Sequence, residues 1–91
     1  MAEDKRTAKE KLEDNGYEDI IIIDEDSFRE SCIGVTGDDR AVYDYSKMIE
    51  EYSKAHNISW DDAMDYIEYN IIRALSYYGA KAPVVFYPFD I

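Results

Sequence analysis

Apolar positions recur most regularly between Trp60 and Tyr78. Trp60, Ala63, Met64, Ile67, Ile71, Ala74, Leu75 and Tyr78 follow the i, i+3, i+4, i+7 spacing of one helical face. The spacing predicts one long amphipathic helix with Trp60, Ile67, Ile71 and Leu75 lining the core. Ser59 stands at the N-cap position with Asp62 three residues on, a variant of the capping box. Gly79 supplies the stop and Pro83 blocks continuation. A shorter helix precedes it: Met48, Ile49, Tyr52 and Ala55 share a face, Asp44 or Ser46 can cap it, and it ends near His56-Asn57.

Shorter apolar runs predict strands. Ile20–Ile23 is a β-branched run bounded by charge and reads as a short buried strand. Asp24–Ser27 reads as a loop from which Phe28 plugs the core. Cys32–Thr36 and Ala41–Tyr45 read as two strands joined through Gly37-Asp38-Asp39, a hairpin signal. Ile33 and Val35 then share one face of the first strand, and Ala41, Tyr43 and Tyr45 share one face of the second. Val84–Tyr87 is apolar on both faces, as in a strand covered on both sides. Residues 2–14 are strong helix formers with i,i+4 pairs Arg6–Glu10 and Lys9–Glu13, ended by Asn15-Gly16. Their only apolar residues are Ala2, Ala8 and Leu12, so they read as a short helix or a frayed tail. This order implies a small α+β domain: a mostly antiparallel sheet of three to four strands, two helices on one face, and a possible N-terminal helix.

Composition bounds the class. Ninety-one residues make one domain, divided here into a polar N-terminal segment 1–16 and an acidic α+β domain 17–91. Nine Tyr, three Phe and one Trp argue for a folded chain, because acidic disordered chains lack such residues. The longest apolar runs, Ile20–Ile23 and Pro83–Tyr87, fall far short of the ~20 residues of a membrane-spanning helix. The single Cys32 allows no internal disulfide and fits a reducing compartment, so the expected location is cytoplasmic.

Charge changes the picture most. The chain carries 21 acids against 10 bases, a formal net charge of −11. Residues 1–16 hold five acids and four bases; residues 17–91 hold 16 acids and six bases, a net of −10. Such a domain repels nucleic acid and anionic membranes and attracts basic protein surfaces. On an ideal helix at ~100° per residue, Asp61, Asp65 and Glu68 fall within about 60° of one another, with Asp62 to one side. At ~1.5 Å rise per residue they span about 10.5 Å, an axial charge spacing of ~2.6 Å, between those of duplex and single-stranded DNA. Tyr69 and Ile72 lie over this face and would serve as anchors. The face reads as a phosphate mimic for a basic groove, or as a solvated face whose acids suit the first helical turn. Among the tyrosines, Tyr66, Tyr69 and Tyr77 are the best surface candidates.

Other chemistry is sparse. Asp24-x-Asp26 opens like a calcium loop, but Phe28 takes the third ligand position and the turn glycine is missing. Asp38-Asp39 is a turn pair. One Cys and one His, with no sign that they meet, point to no nucleophilic site, and neither a phosphate-cradling loop nor a nucleophile elbow is present. No catalytic residue, metal or cofactor is expected. Arg73 is expected to pair with a carboxylate.

The strings IGVTGDDRAVYDYSKMIEEY (Ile33–Tyr52) and DYIEYNIIRALSYYGAKAPVV (Asp65–Val85) resemble a group of small acidic proteins of unassigned function from Gram-positive bacteria and their prophages and mobile elements. The resemblance covers about residues 28–88 and implies a mobile-element setting with no enzyme, cofactor or catalytic residue. Proteins from such settings include anti-CRISPR inhibitors, an analogy of association only. The leading expectation is therefore a small acidic inhibitor that occupies a basic nucleic-acid-binding groove of a host defence protein. Asp61, Asp62, Asp65 and Glu68 would mimic phosphates beside Tyr69 and Ile72. It would not bind nucleic acid or membrane itself. An antitoxin or immunity protein, and a housekeeping module whose acidity serves solubility, are the alternatives.

Overall fold

The computed structural model describes residues 6–89. The expected N-terminal helix begins outside them; within them the chain is helical over α1 (Ala8–Asp14). Thr7 caps it in a reciprocal box. The Thr7 hydroxyl accepts from Glu10 N at 3.1 Å, and the Glu10 carboxylate accepts from Thr7 N at 2.8 Å. Ala8 and Leu12 are buried. Lys11 adds a polar anchor, its Nζ donating to the carbonyls of Arg29 at 2.8 Å and Cys32 at 2.7 Å.

The sheet has three strands in the order β1 (Cys32–Val35), β2 (Ala41–Asp44) and β3 (Val84–Phe86). β1 and β2 pair antiparallel, whereas β3 lies parallel to β2. The sheet is thus mixed rather than mostly antiparallel. The reason is topological: β3 is reached only after residues 45–83 have crossed over through the helices, and such a crossover returns a strand in the same direction. Ala41 and Tyr43 are fully buried on the helix side of β2, while Val42 and Asp44 are half-exposed on the other. The hairpin closes as expected: Thr36 N donates to Arg40 O at 2.8 Å, and Asp39 takes the left-handed conformation (φ 64°).

Three strand-level expectations are corrected. Ile20–Ile23 forms no regular element and pairs with no strand among the described residues; Ile23 N donates to the Tyr43 hydroxyl at 3.2 Å, and the next amide, Asp24 N, to the Tyr78 hydroxyl at 3.3 Å. Ile20, Ile22 and Ile23 still pack on the core, so the β-branched run reported burial and not pairing. Ile33 and Val35 do not share a buried face: the register shifts between Cys32 and Gly34, turning Cys32 inward and leaving Ile33 exposed. β3 is not covered on both sides, since Phe86 and Tyr87 are exposed.

Asp44 caps α2 (Tyr45–His56), accepting from Lys47 N at 3.1 Å, and the helix ends at Asn57 in the left-handed conformation (φ 53°). Met48, Ile49 and Tyr52 are buried; Ala55 is exposed. The predicted long helix is composite. α3 (Trp60–Tyr66) continues into a π-helical segment, Ile67–Ile72, and a 3-10 segment, Arg73–Tyr78, before Gly79 (φ 87°) ends it. Ala63 and Ile67 are fully buried, and Met64, Ile71, Ala74, Leu75 and Tyr78 are half-buried. Trp60, expected in the core, is 46% exposed because it stands on the first helical turn. The core is Tyr43, Phe28, Met48, Ile49 and Ile67, between the sheet and the helices.

Candidate protein-binding face

Asp61 and Asp62 project from the first turn of α3, where the helix dipole favours acids, and Ser59 Oγ accepts from Asp62 N at 3.1 Å. Asp65 follows one turn later. All three are exposed, and none pairs with a cation among the described residues. Residues 57–72 hold four acids and no base.

The bases lie outside residues 57–72, and several of them are engaged. Lys11, Arg40 and Lys81 donate to backbone carbonyls of Arg29 and Cys32, Ala82, and Asp38 respectively. Lys54 pairs with Glu50 at 3.0 Å and Arg6 with Asp14 at 2.8 Å. Arg73 was expected beside a carboxylate; its guanidinium instead lies 4.9 Å from the centre of the Tyr69 ring.

Glu68 differs from the three aspartates. It is the second residue of the π-helical segment, where the wider turn breaks the 100° rotation assumed for one straight face. Its Oε2 accepts a hydrogen bond from the Tyr45 hydroxyl at 2.6 Å. Tyr69 is 63% exposed on the same segment, whereas Ile72 is half-buried against the core and offers only part of its surface. π-Helical turns recur at functional sites, and this one carries Glu68, Tyr69 and Ile72 together.

Several aromatic residues fall differently from their expected places. Tyr66 is only partly exposed: its ring stacks on Tyr52 at 4.4 Å with 9° between the planes. Tyr77 is 91% exposed, as expected. Trp60, Tyr45 and Tyr87 were not foreseen at this surface. Trp60 follows the helical spacing too well to be distinguished from core, and its terminal position was the only contrary signal. Tyr45 and Tyr87 meet through strand register, which no local pattern encodes.

The phenols carry a pH signature. Burial first, then the hydrogen bond to Tyr66, pushes the Tyr52 phenol up to about 12. Burial raises Tyr43 as well, and burial with the Glu68 hydrogen bond raises Tyr45. A phenol whose folded pKa exceeds its unfolded value of ~10 contributes stability that is complete below pH ~10 and is lost as pH rises through the folded value. The thermal midpoint is therefore expected to fall between pH ~10 and ~12. A midpoint unchanged across that interval would show that these hydroxyls are not held by burial and their hydrogen bonds.

Cys32 is buried, and burial holds its thiol above the ordinary value, so it remains protonated and a poor nucleophile. His56 is exposed, its ring 4.1 Å from that of Tyr52. Among the described residues no group of three or more His, Cys, Asp or Glu is placed to hold a metal ion, and no helix is long and apolar enough to cross a membrane. Compared with family models, curated proteins and solved structures, the chain matches none.

Proposed function

We propose that this chain is a small acidic protein-binding inhibitor. It docks α3 in a basic groove of a nucleic-acid-handling protein and keeps phosphates out of it. The observation that carries this reading is the isolation of Asp61, Asp62 and Asp65. They are exposed and adjacent and pair with no cation among the described residues, while Lys11, Arg40, Lys54 and Lys81 are engaged at other places in the fold. Trp60 and Tyr69 flank them with exposed aromatic surface, the residue type enriched at protein interfaces. Long-range attraction of this kind acts chiefly on the association rate and weakens with salt.

The test is capture at low salt on immobilised protein, with elution by a salt step and identification of what elutes. Basic nucleic-acid-binding proteins are expected. A variant carrying Asp61→Asn, Asp62→Asn and Asp65→Asn should lose about tenfold in affinity for them, since three exposed charges at roughly 0.5 kcal/mol each sum to about 1.5 kcal/mol. Asn keeps the side-chain size and puts no cation at the helix N-terminus. The matched control neutralises Glu13, Glu18 and Glu50 to Gln, all exposed on other parts of the surface. Equal retention by the two variants would reduce the aspartates to a solvated face and end the proposal.

A further inference from the structure

Beside the aspartates lies a feature whose chemistry is more selective than charge. β3 runs parallel to β2 with Asp44 opposite Phe86, so the residues that follow, Tyr45 and Tyr87, leave the sheet side by side. Their rings sit 4.7 Å apart, inclined at 44°. Tyr87 remains 51% exposed. The Tyr45 hydroxyl donates to Glu68 Oε2, while Oε1 has no partner among the described residues. Asp65 is close enough to act electrostatically on the Tyr45 phenol. Parallel pairing, the start of α2 and the π-helical turn thus bring two aromatic rings and the Glu68 carboxylate to one place.

We propose that Tyr45, Tyr87 and Glu68 form a socket for a single arginine side chain of the basic partner. The guanidinium lies over the exposed part of the Tyr87 ring and donates to Glu68. The inference rests on the acidic-face reading and names the group that this face recognises. An anion is repelled by the carboxylates, and an apolar side chain would desolvate them without compensation. A lysine supplies the charge, but its compact ammonium lacks the planar fork that stacks on a ring and donates to carboxylates at once. The chain already pairs the same two groups internally, with Arg73 over Tyr69. That arginine lies over Tyr69 and not over Tyr87, which is 51% exposed.

Capped tri-arginine and tri-lysine peptides are the probes, titrated at low salt against protein carrying isotope-labelled tyrosine and followed by NMR. Tri-arginine is expected to shift the Tyr45 and Tyr87 ring resonances and to bind about fivefold or more tighter than tri-lysine. Glu68→Gln, which can still accept from Tyr45, and Tyr87→Leu should each bring tri-arginine down to the tri-lysine level. Tri-lysine itself should change by less than about twofold in Tyr87→Leu. Equal binding of the two peptides overturns the socket, as does tri-arginine binding that both variants leave unchanged. If in that case the three Asp→Asn replacements still abolish capture, the acidic face stands without the socket. If those replacements have no effect while the arginine preference persists, the socket stands and the groove-mimic reading falls.

Discussion

Replacing Phe28 with Ala is expected to destabilise the fold by about 3–5 kcal/mol, a large part of the stability of a small domain. Phe28 belongs to no helix or strand, yet it is only 2% exposed. Its ring lies 6.3 Å from that of Tyr43 on β2 and 6.2 Å from that of Tyr52 on α2, bridging the sheet and helix layers. The space it leaves cannot readily collapse. Tyr43 is held by the hydrogen bond from Ile23 N, and Tyr52 is stacked on Tyr66. A cavity whose walls cannot relax lies at the costly end of large-to-small substitutions. Phe86→Ala is the comparison: the same atoms are removed from an exposed site, and the expected loss is below about 1 kcal/mol. Both are read as shifts of the urea midpoint. Similar midpoints for the two variants would show that Phe28 does not bridge the layers.

Phe28 also shows what the sequence makes legible. A lone aromatic between charged residues at 24–30 has few places to go in a small acidic domain, and the core is the one that lowers its free energy. The hairpin, both helix N-caps, the stops at Asn57 and Gly79 and the α+β architecture follow from equally local chemistry. The rest depends on distant groups. Ile20–Ile23 has the composition of a strand, but whether a strand forms depends on a partner edge, and here two tyrosine hydroxyls take the place of one. The direction of β3 depends on the crossover. The π-helical turn at Ile67–Ile72 keeps right-handed helical backbone at both ends, so no residue marks it as glycine or proline would. It nevertheless alters which side chains share a face, and that is why Glu68 meets Tyr45 instead of continuing the line of aspartates. The acidic character of the candidate site is therefore written in composition, whereas its aromatic half is written in strand register.

Glu51→Ala is expected to cost about 2–4 kcal/mol, although Glu51 looks in sequence like one more acid on a charged helix. Its Oε2 accepts from the amides of Arg29 at 3.0 Å and Glu30 at 2.8 Å, and its Oε1 from Ser31 N at 2.9 Å. Three consecutive amides converge on one carboxylate, the arrangement by which backbone turns bind anions. The same turn is held from its carbonyl side. Asp44 N donates to Ser31 O at 2.7 Å, and Lys11 reaches the carbonyls of Arg29 and Cys32. Glu51 thus fastens α2 to the turn that carries Phe28 into the core. Its removal leaves three amides to be satisfied by water beside a fully buried Ser31 whose hydroxyl already lacks a partner among the described residues. Glu50, its neighbour in sequence, pairs only with Lys54 at the surface, and Glu50→Ala should change stability by less than about 0.5 kcal/mol. Urea unfolding of the two variants gives the difference, and hydrogen exchange should quicken at Arg29, Glu30 and Ser31 in Glu51→Ala alone. Because Phe28 and Glu51 hold one turn, the double variant should cost less than the sum of the single losses. If Glu51→Ala proves as mild as Glu50→Ala, the three amides are equally well served by water, and the turn is positioned by Phe28 and Lys11 instead.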